Sequence, residues 1–148
     1  MYNLSSTNRE VELFVFDIYV AILKIETVSS EFENVENMLH DFRSWDSVIR
    51  EFEIIGEASK YLLNENLLDT DYRRVVDFRN SIMHGYFGIE QNIVWEIIHR
   101  KLGDLKIIIL ELISKIEADL KQELIESYIE DNKYLDFIVK ELKRLDNE

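Results

Sequence analysis

The chain has 148 residues with no cysteine, no proline and four glycines, and its formal net charge is −13 at pH 7. This length allows one domain with a sizeable core, and the absence of cysteine excludes disulfides and thiolate metal sites. The acidity argues against non-specific binding to nucleic acid or anionic membranes, although a local phosphate site remains compatible with it. Because no apolar run could span a membrane and the N-terminus lacks the form of a signal peptide, we expect a cytoplasmic protein.

The pattern of apolar residues predicts an all-α protein. Proline breaks helices and glycine weakens them, so their scarcity favours helix throughout, in an up-and-down bundle. Ser30-Glu31-Phe32-Glu33 has the form of a capping box and predicts a short helix that ends near His40, while Gly103 and Asp104 predict a kink or a restart. Apolar residues three and four apart predict longer helices over about residues 7–27, 45–63, 70–84, 90–100 and 105–116, with helical spacing continuing from 117 to 148.

The first predicted helix is apolar on more than one face. Val15, Ile18 and Ile22 form one stripe, and Phe16 and Tyr19 add apolar surface beside it. Such a helix is either central in the bundle or shared with a partner subunit.

Residues 77–88, with the sequence DFRNSIMHGYFG, contain the most informative stretch of the chain. It places Arg79, His84 and Tyr86 close together in sequence. Metal-free RNA cleavage needs a group that moves protons near neutral pH, which histidine provides, and a cationic donor for the phosphate, which the planar fork of arginine provides. The stretch also belongs to a locally basic segment, because residues 73–86 hold three arginines and one aspartate.

Helix geometry bears on how these side chains meet. If the helix that begins near Thr70 ends at His84, the helix dipole favours the charged imidazolium there. Asn80 and His84 are four residues apart and share a face, so the amide could orient the ring. Arg79 lies about 140° around the helix from His84, so the pair does not face one phosphate naturally from a regular helix. A two-fold dimer in which two copies of the stretch meet would instead supply two histidines to one cleft.

A purely structural interpretation of the same stretch stays open on spacing alone. A basic residue in the last turn often only complements the helix dipole, and Gly85 followed by Tyr86 is typical of a glycine cap with its hydrophobic contact. His40 and His99 are isolated on predicted helices. No histidine pair has metal-ligand spacing, and there is no glycine-rich phosphate loop. The two tryptophans, Trp45 and Trp95, are expected to anchor the core or an interface.

Three collinear segments resemble a known family. Residues 79–86 (RNSIMHGY) match the Arg-x4-His-x-Tyr signature of the HepT-like toxins, which belong to the HEPN superfamily of helical ribonucleases. Residues 47–58 (SVIREFEIIGEA) resemble the other characteristic helix of that family, and YFGI at 86–89 with IVWEII at 93–98 continues the match. The resemblance covers about residues 9–116 of one HEPN-like domain spanning 1–148, and residues 117–148 form a helical C-terminal extension.

The resemblance implies a homodimer that acts as a metal-independent RNA endonuclease, the toxin of a type VII (HEPN/MNT) toxin–antitoxin system. By the same resemblance, Arg79 and His84 are catalytic and Asn80 supports them. The implied partner is a MntA-type nucleotidyltransferase antitoxin, which would use ATP to place AMP on Tyr86. The chain itself would need no cofactor and no metal. Added phosphate two residues from His84 would fill the cleft and repel RNA.

The sequence departs from the family pattern in places, and one other function is compatible with it. Asp77 stands where many relatives carry glycine and could pair with an arginine, Tyr72 replaces a common tryptophan, and Gly103 stands where proline is frequent. The alternative function is a non-catalytic HEPN adaptor that binds a minimal nucleotidyltransferase, since an acidic surface suits a protein partner as well as RNA. A plain structural dimer ranks last, because it does not explain the polar stretch.

Overall fold

The computed structural model describes the backbone of residues 6–83 and 91–146 and the side chains of residues 10–81 and 91–146. Within these ranges the chain is helical and contains no strand, which confirms the all-α prediction. No helix in this part is long and apolar enough to cross a membrane. The helices are α1 (Ser6–Ser29), α2 (Val35–His40), α3 (Phe42–Asn64), α4 (Arg73–Met83), α5 (Gln91–Glu96), α6 (Leu102–Ser114), α7 (Ala118–Asp131) and α8 (Asp136–Asp146).

Helix α1 is the central element of the bundle. It packs against α3 and α6, and also against α7 and α8 from the end of the chain. Of the two possibilities left by its apolar faces, the structure therefore supports burial within the chain. The residues of α1 that are buried are Val15, Phe16, Ile18, Tyr19, Val20, Ala21, Ile22, Leu23, Ile25 and Ser29.

The short second helix begins later than the capping-box pattern predicts. Ser30 instead follows directly after α1, and its hydroxyl donates to the Thr27 carbonyl at 2.8 Å. The N-cap of α2 is Asn34, whose Oδ1 accepts from the backbone N–H of Asn37 at 2.9 Å. The predicted start was wrong because an asparagine further along supplies the cap, and asparagine is among the best N-cap residues.

Helices α3 and α4 form the pair that carries the candidate site. Residues 65–69 connect them, one residue shorter than the predicted connection at 64–69, and Asn66 adopts a left-handed φ of 60°. A 3-10 turn at Thr70–Tyr72 then leads into α4, with the Asp69 carboxylate accepting from the Asp71 N–H at 3.1 Å. Apolar contacts between the two helices include an edge-on pair of Phe52 and Phe78, whose ring centroids are 5.3 Å apart.

The irregularity predicted at Gly103 lies one turn earlier. A π-helical turn at Ile97–Lys101 joins α5 to α6, with the Leu102 N–H donating to the Ile97 carbonyl. Gly103 is the second residue of α6, so the helix restarts close to Gly103 and Asp104 as one of the two predicted alternatives, and no kink lies at these residues. One apolar stripe continues across the join, because Val94 is buried before the π turn and Ile98 within it. The residues buried after the turn are Leu102, Leu105, Ile109 and Ile113.

The C-terminal extension is a pair of helices that packs on α1. Glu117 caps α7 by accepting from the N–H groups of Asp119 and Leu120, at 2.9 and 3.1 Å. On the same helix, the Tyr128 hydroxyl lies 2.7 Å from Asp17 Oδ1 and 3.0 Å from the Leu13 carbonyl of α1. Burial raises the pKa of the Asp17 carboxyl, and the hydrogen bond from Tyr128 partly opposes that rise. The apolar residues of α7 and α8 that are buried are Leu124, Ile125, Ile138, Leu142 and Leu145.

We expect Tyr128→Phe to lower the free energy of unfolding by about 1–2 kcal/mol at neutral pH, because Asp17 loses its hydrogen-bond donor. The pKa of folded Asp17 should then rise further, so the difference from wild type should narrow as the pH falls through that pKa. Urea unfolding across the acidic pH range measures both effects. Tyr134→Phe is the matched control, because Tyr134 is 87% exposed. Equal losses in the two variants would contradict the assignment.

Candidate active site

The structure describes part of the predicted site. Arg79 and Asn80 lie on α4, in the two turns before its described end at Met83. His84 and Tyr86 lie outside the described residues, as does Gly85, the predicted cap. The described part of the candidate site is therefore the part that contains Arg79 and Asn80.

Gly56 of α3 creates the space that Arg79 occupies. A Cβ atom added at Gly56 would lie 2.6 Å from Cγ of Arg79 and closer still to its Cβ, and 3.4 Å from the Val75 carbonyl oxygen. No real side chain fits at such distances, so only glycine permits this approach of the two helices. The aliphatic part of Arg79 therefore lies directly on the backbone of α3.

Polar contacts hold the guanidinium of Arg79. Its Nη2 lies 2.9 Å from Oε2 of Glu57, the residue that follows Gly56. Its Nη1 donates to Oδ1 of Asn80 at 3.2 Å. The Nε atom is buried without an acceptor in the described part of the chain. A buried, unpaired donor costs free energy, and such costs are more often tolerated at functional sites than elsewhere.

The guanidinium borders a shallow cavity of about 350 Å³ between α3 and α4. The side chain of Arg79 is 23% exposed and that of Glu57 is 56% exposed, so both reach solvent there. An ion pair this exposed contributes little to stability. Its main effect is to orient the guanidinium. The cavity is lined by Arg50, Glu53, Ile54, Glu57 and Arg79.

A larger groove of about 820 Å³ lies on another side of α4, and Arg79 and Asn80 do not line it. Asp77 faces this groove, and within the described residues it forms no ion pair, so the pairing considered for it is not seen. The arginines that looked like one basic segment therefore separate, because Arg74 lines the acidic groove and Arg79 the small cavity. The charged residues that line the groove are Asp69, Asp71, Arg74, Asp77, Glu96, Lys101 and Asp104.

Asn80 makes a contact with Arg79 that sequence spacing did not suggest. Its amide oxygen accepts from Arg79, whereas sequence spacing suggested that it orients His84. Its distance to His84 lies outside the described residues. In the described geometry, Asn80 and Glu57 fix the guanidinium from two sides.

The two tryptophans pack against the core, and the histidines His40 and His99 are both exposed. Trp95 packs against the core, and its ring meets the exposed His99 edge-on with centroids 4.4 Å apart. Trp45 also packs against the core, and His40 is exposed in the last turn of α2. Among the described residues, no group of three or more acidic, histidine or cysteine side chains could hold a metal ion.

Gly56 and Glu57 lie within residues 47–58, the segment that resembles the family, but the sequence alone gives them no role. One signal could have found Gly56, because glycine inside a strongly amphipathic helix costs about 1 kcal/mol relative to alanine. Its presence in the middle of α3 indicates a close backbone contact. The partner of that contact lies on α4, and a single sequence does not identify it.

In a comparison with known protein families, residues 18–112 match the family model described as ribonuclease HepT-like. The match contains α3, α4 and α5 and ends within α6, so α7 and α8 lie outside it. The matched residues lie within the stretch of about residues 9–116 over which the sequence resembles the family.

Individual relatives match over similar lengths. A protein named "Probable ribonuclease HepT" from Thermococcus cleftensis is 32% identical over 96 residues, which are 63% of this chain and 86% of the relative. Two proteins from Methanocaldococcus jannaschii that are named as candidate RNases also match. One is 29% identical over 103 residues (68% of this chain, 94% of the relative), and the other 30% identical over 115 residues (75% and 93%). No solved structure gives a significant match.

We expect alanine at the two described glycines to have opposite effects on stability. Gly56→Ala should lower the free energy of unfolding by about 1–3 kcal/mol, because the new methyl overlaps Arg79. Gly103→Ala should raise it by about 0.5–1 kcal/mol, because nothing lies within 4 Å of its added Cβ and alanine favours helix. Urea unfolding of both variants measures the difference. A stabilised Gly56→Ala variant would contradict the close contact.

Proposed function

Because this chain belongs to the HepT-like ribonuclease family, we propose that it is a metal-independent RNA endonuclease and the toxin of a type VII (HEPN/MNT) toxin–antitoxin system. One observation carries the proposal. Within the matched region, Arg79 is held at the edge of a cavity by Glu57 and Asn80, five residues before His84.

The contacts of Arg79 are compatible with phosphate binding. A guanidinium has five N–H groups, and Glu57 and Asn80 each take one from a different terminal nitrogen. One N–H group on each terminal nitrogen is left to donate to two phosphate oxygens. In the proposed reaction, this fork binds the scissile phosphate and stabilises the charge that develops on it.

In the proposed mechanism, His84 moves the protons. A ribose 2′-hydroxyl loses its proton to a base and attacks the adjacent phosphorus, and the departing 5′-oxygen receives a proton from an acid. The products are a 2′,3′-cyclic phosphate and a free 5′-hydroxyl, so no water or metal enters this step. One histidine per motif fills one of the two roles, and a homodimer that joins two motifs in one cleft supplies both.

The proposed antitoxin acts on Tyr86. A MntA-type nucleotidyltransferase transfers AMP from ATP to the phenolic oxygen, which loses its proton while pyrophosphate leaves. The added phosphate lies two residues from His84, where it competes with RNA for the arginine fork and repels the RNA backbone. ATP is then a substrate of the partner and not a cofactor of this chain.

A second candidate function is a non-catalytic adaptor that binds the nucleotidyltransferase. The contact that favours it is the ion pair of Arg79 with Glu57, which already partly neutralises the guanidinium in a chain of net charge −13. Incubation with total RNA in EDTA separates the two candidates, because only the endonuclease cleaves.

We expect Arg79→Ala to slow RNA cleavage about 10²- to 10³-fold and His84→Ala about 10²- to 10⁴-fold. The assay is cleavage of labelled single-stranded RNA in EDTA, together with growth after expression in cells. Circular dichroism confirms that each variant is folded, and light scattering tests whether the protein is a dimer. Equal cleavage and equal growth arrest by all three proteins would refute the assignment.

Co-expression with the nucleotidyltransferase should add AMP to Tyr86, and Tyr86→Phe should remove the added mass while leaving cleavage intact. Intact-mass and peptide mass spectrometry locate the modification. Tyr134→Phe is the control, since Tyr134 is an exposed tyrosine elsewhere. Added mass that survives Tyr86→Phe would place the modification on another residue.

A further inference from the structure

We propose that Arg50 forms a second phosphate-binding subsite for the RNA strand, in the same cavity as Arg79. The inference rests on the proposed ribonuclease function and adds a residue to it. It predicts that the substrate extends along α3, with the scissile phosphate at Arg79 and a neighbouring phosphate at Arg50.

Arg50 lines the same cavity as Arg79. The α3 residues that line the cavity are spaced by three and four, so they form a single stripe along one side of the helix. Arg50 lies at one end of this stripe, and Glu57, the partner of Arg79, lies at the other. Seven residues of helix correspond to about 10 Å, a separation that two long arginine side chains can shorten. The members of the stripe are Arg50, Glu53, Ile54 and Glu57.

Arg50 is not needed for packing. It is exposed, and within the described part of the chain it forms no hydrogen bond and no ion pair. Its neighbour Glu51 is buried on the core side of the helix, where burial raises the pKa of that carboxyl while Lys24 and Arg50 oppose the rise. The guanidinium of Arg50 therefore remains able to donate to a ligand in the cavity.

The side chains of the stripe match the groups that an RNA strand presents in sequence. A ribonucleotide chain presents an anionic phosphate, then a ribose with its 2′-hydroxyl, then the next phosphate. Arg50 and Arg79 both line the cavity, and Glu53 lines it between Arg50 and Glu57 along α3. A carboxylate such as that of Glu53 can accept from a hydroxyl. A 2′-hydroxyl is the group that distinguishes RNA from DNA at such a site.

The test measures binding of a labelled, mixed-sequence, single-stranded RNA to full-length protein in which His84→Ala prevents cleavage. In this background, Arg50→Gln should weaken binding roughly five- to tenfold at low salt. It should also reduce the slope of log affinity against log salt by about 0.7 over roughly 50–200 mM, the change expected for one lost phosphate contact on a single strand. Arg50→Lys should restore the slope, because it keeps the charge.

Arg43→Gln is the matched control. Arg43 is an exposed arginine on the same helix that does not line the cavity, so its loss changes the net charge equally. If Arg50→Gln and Arg43→Gln have the same salt slope while the chain with its native His84 cleaves RNA, the subsite is refuted and the ribonuclease function stands. If the native chain does not cleave RNA in EDTA, the proposed function fails first, and the subsite fails with it.

Discussion

Close contact between α3 and α4 depends on the absence of a side chain at position 56. Because Arg79 rests on the backbone of α3 there, its guanidinium emerges beside Glu57, which binds it. Two adjacent residues of α3 therefore position Arg79 of α4. Gly56 leaves space for its aliphatic part, and Glu57 provides a carboxylate for its guanidinium. On another side, a wide groove lies between α4 and the helix formed by α5 and α6, so α3 is the main support of α4. The packing of α3 against α4 therefore determines the position of Arg79.

The charge distribution around α4 matters more than the net charge of −13. The groove on one side has five acidic and two basic side chains along its lining, so it repels a polyanion. The cavity on the α3 side has two arginines and two glutamates, and one of those glutamates is already paired. A nucleic acid strand is therefore repelled less on the α3 side. An acidic protein can present a usable phosphate site when it separates its charges in this way.

Helical periodicity was sufficient to predict the fold class, and it placed α1, α3 and the connection at residues 65–69 correctly. It failed where two local signals compete. At residues 30–34, the Asn34 cap determines where α2 begins, and the capping-box pattern does not. At residues 97–101, a π turn keeps one apolar stripe continuous, and the position of Gly103 does not reveal that turn. The sequence also indicated Arg79 as a site residue. It did not indicate the support of Arg79 by Gly56 and Glu57, because Gly56 and Arg79 are 23 residues apart in the chain and only the packing of α3 on α4 brings them together.

The packing of α7 and α8 on α1 has a consequence for the order of folding. Tyr128 and the α1 residue to which it donates are 111 residues apart in the chain, so this contact has a high sequence separation. During synthesis, α1 can pack against α3 early, but the face that α7 and α8 cover stays uncovered until residues 118–146 have been made. Helices α3 and α4 can therefore come together on the ribosome before α1 is fully enclosed, so a nascent chain exposes an aggregation-prone surface.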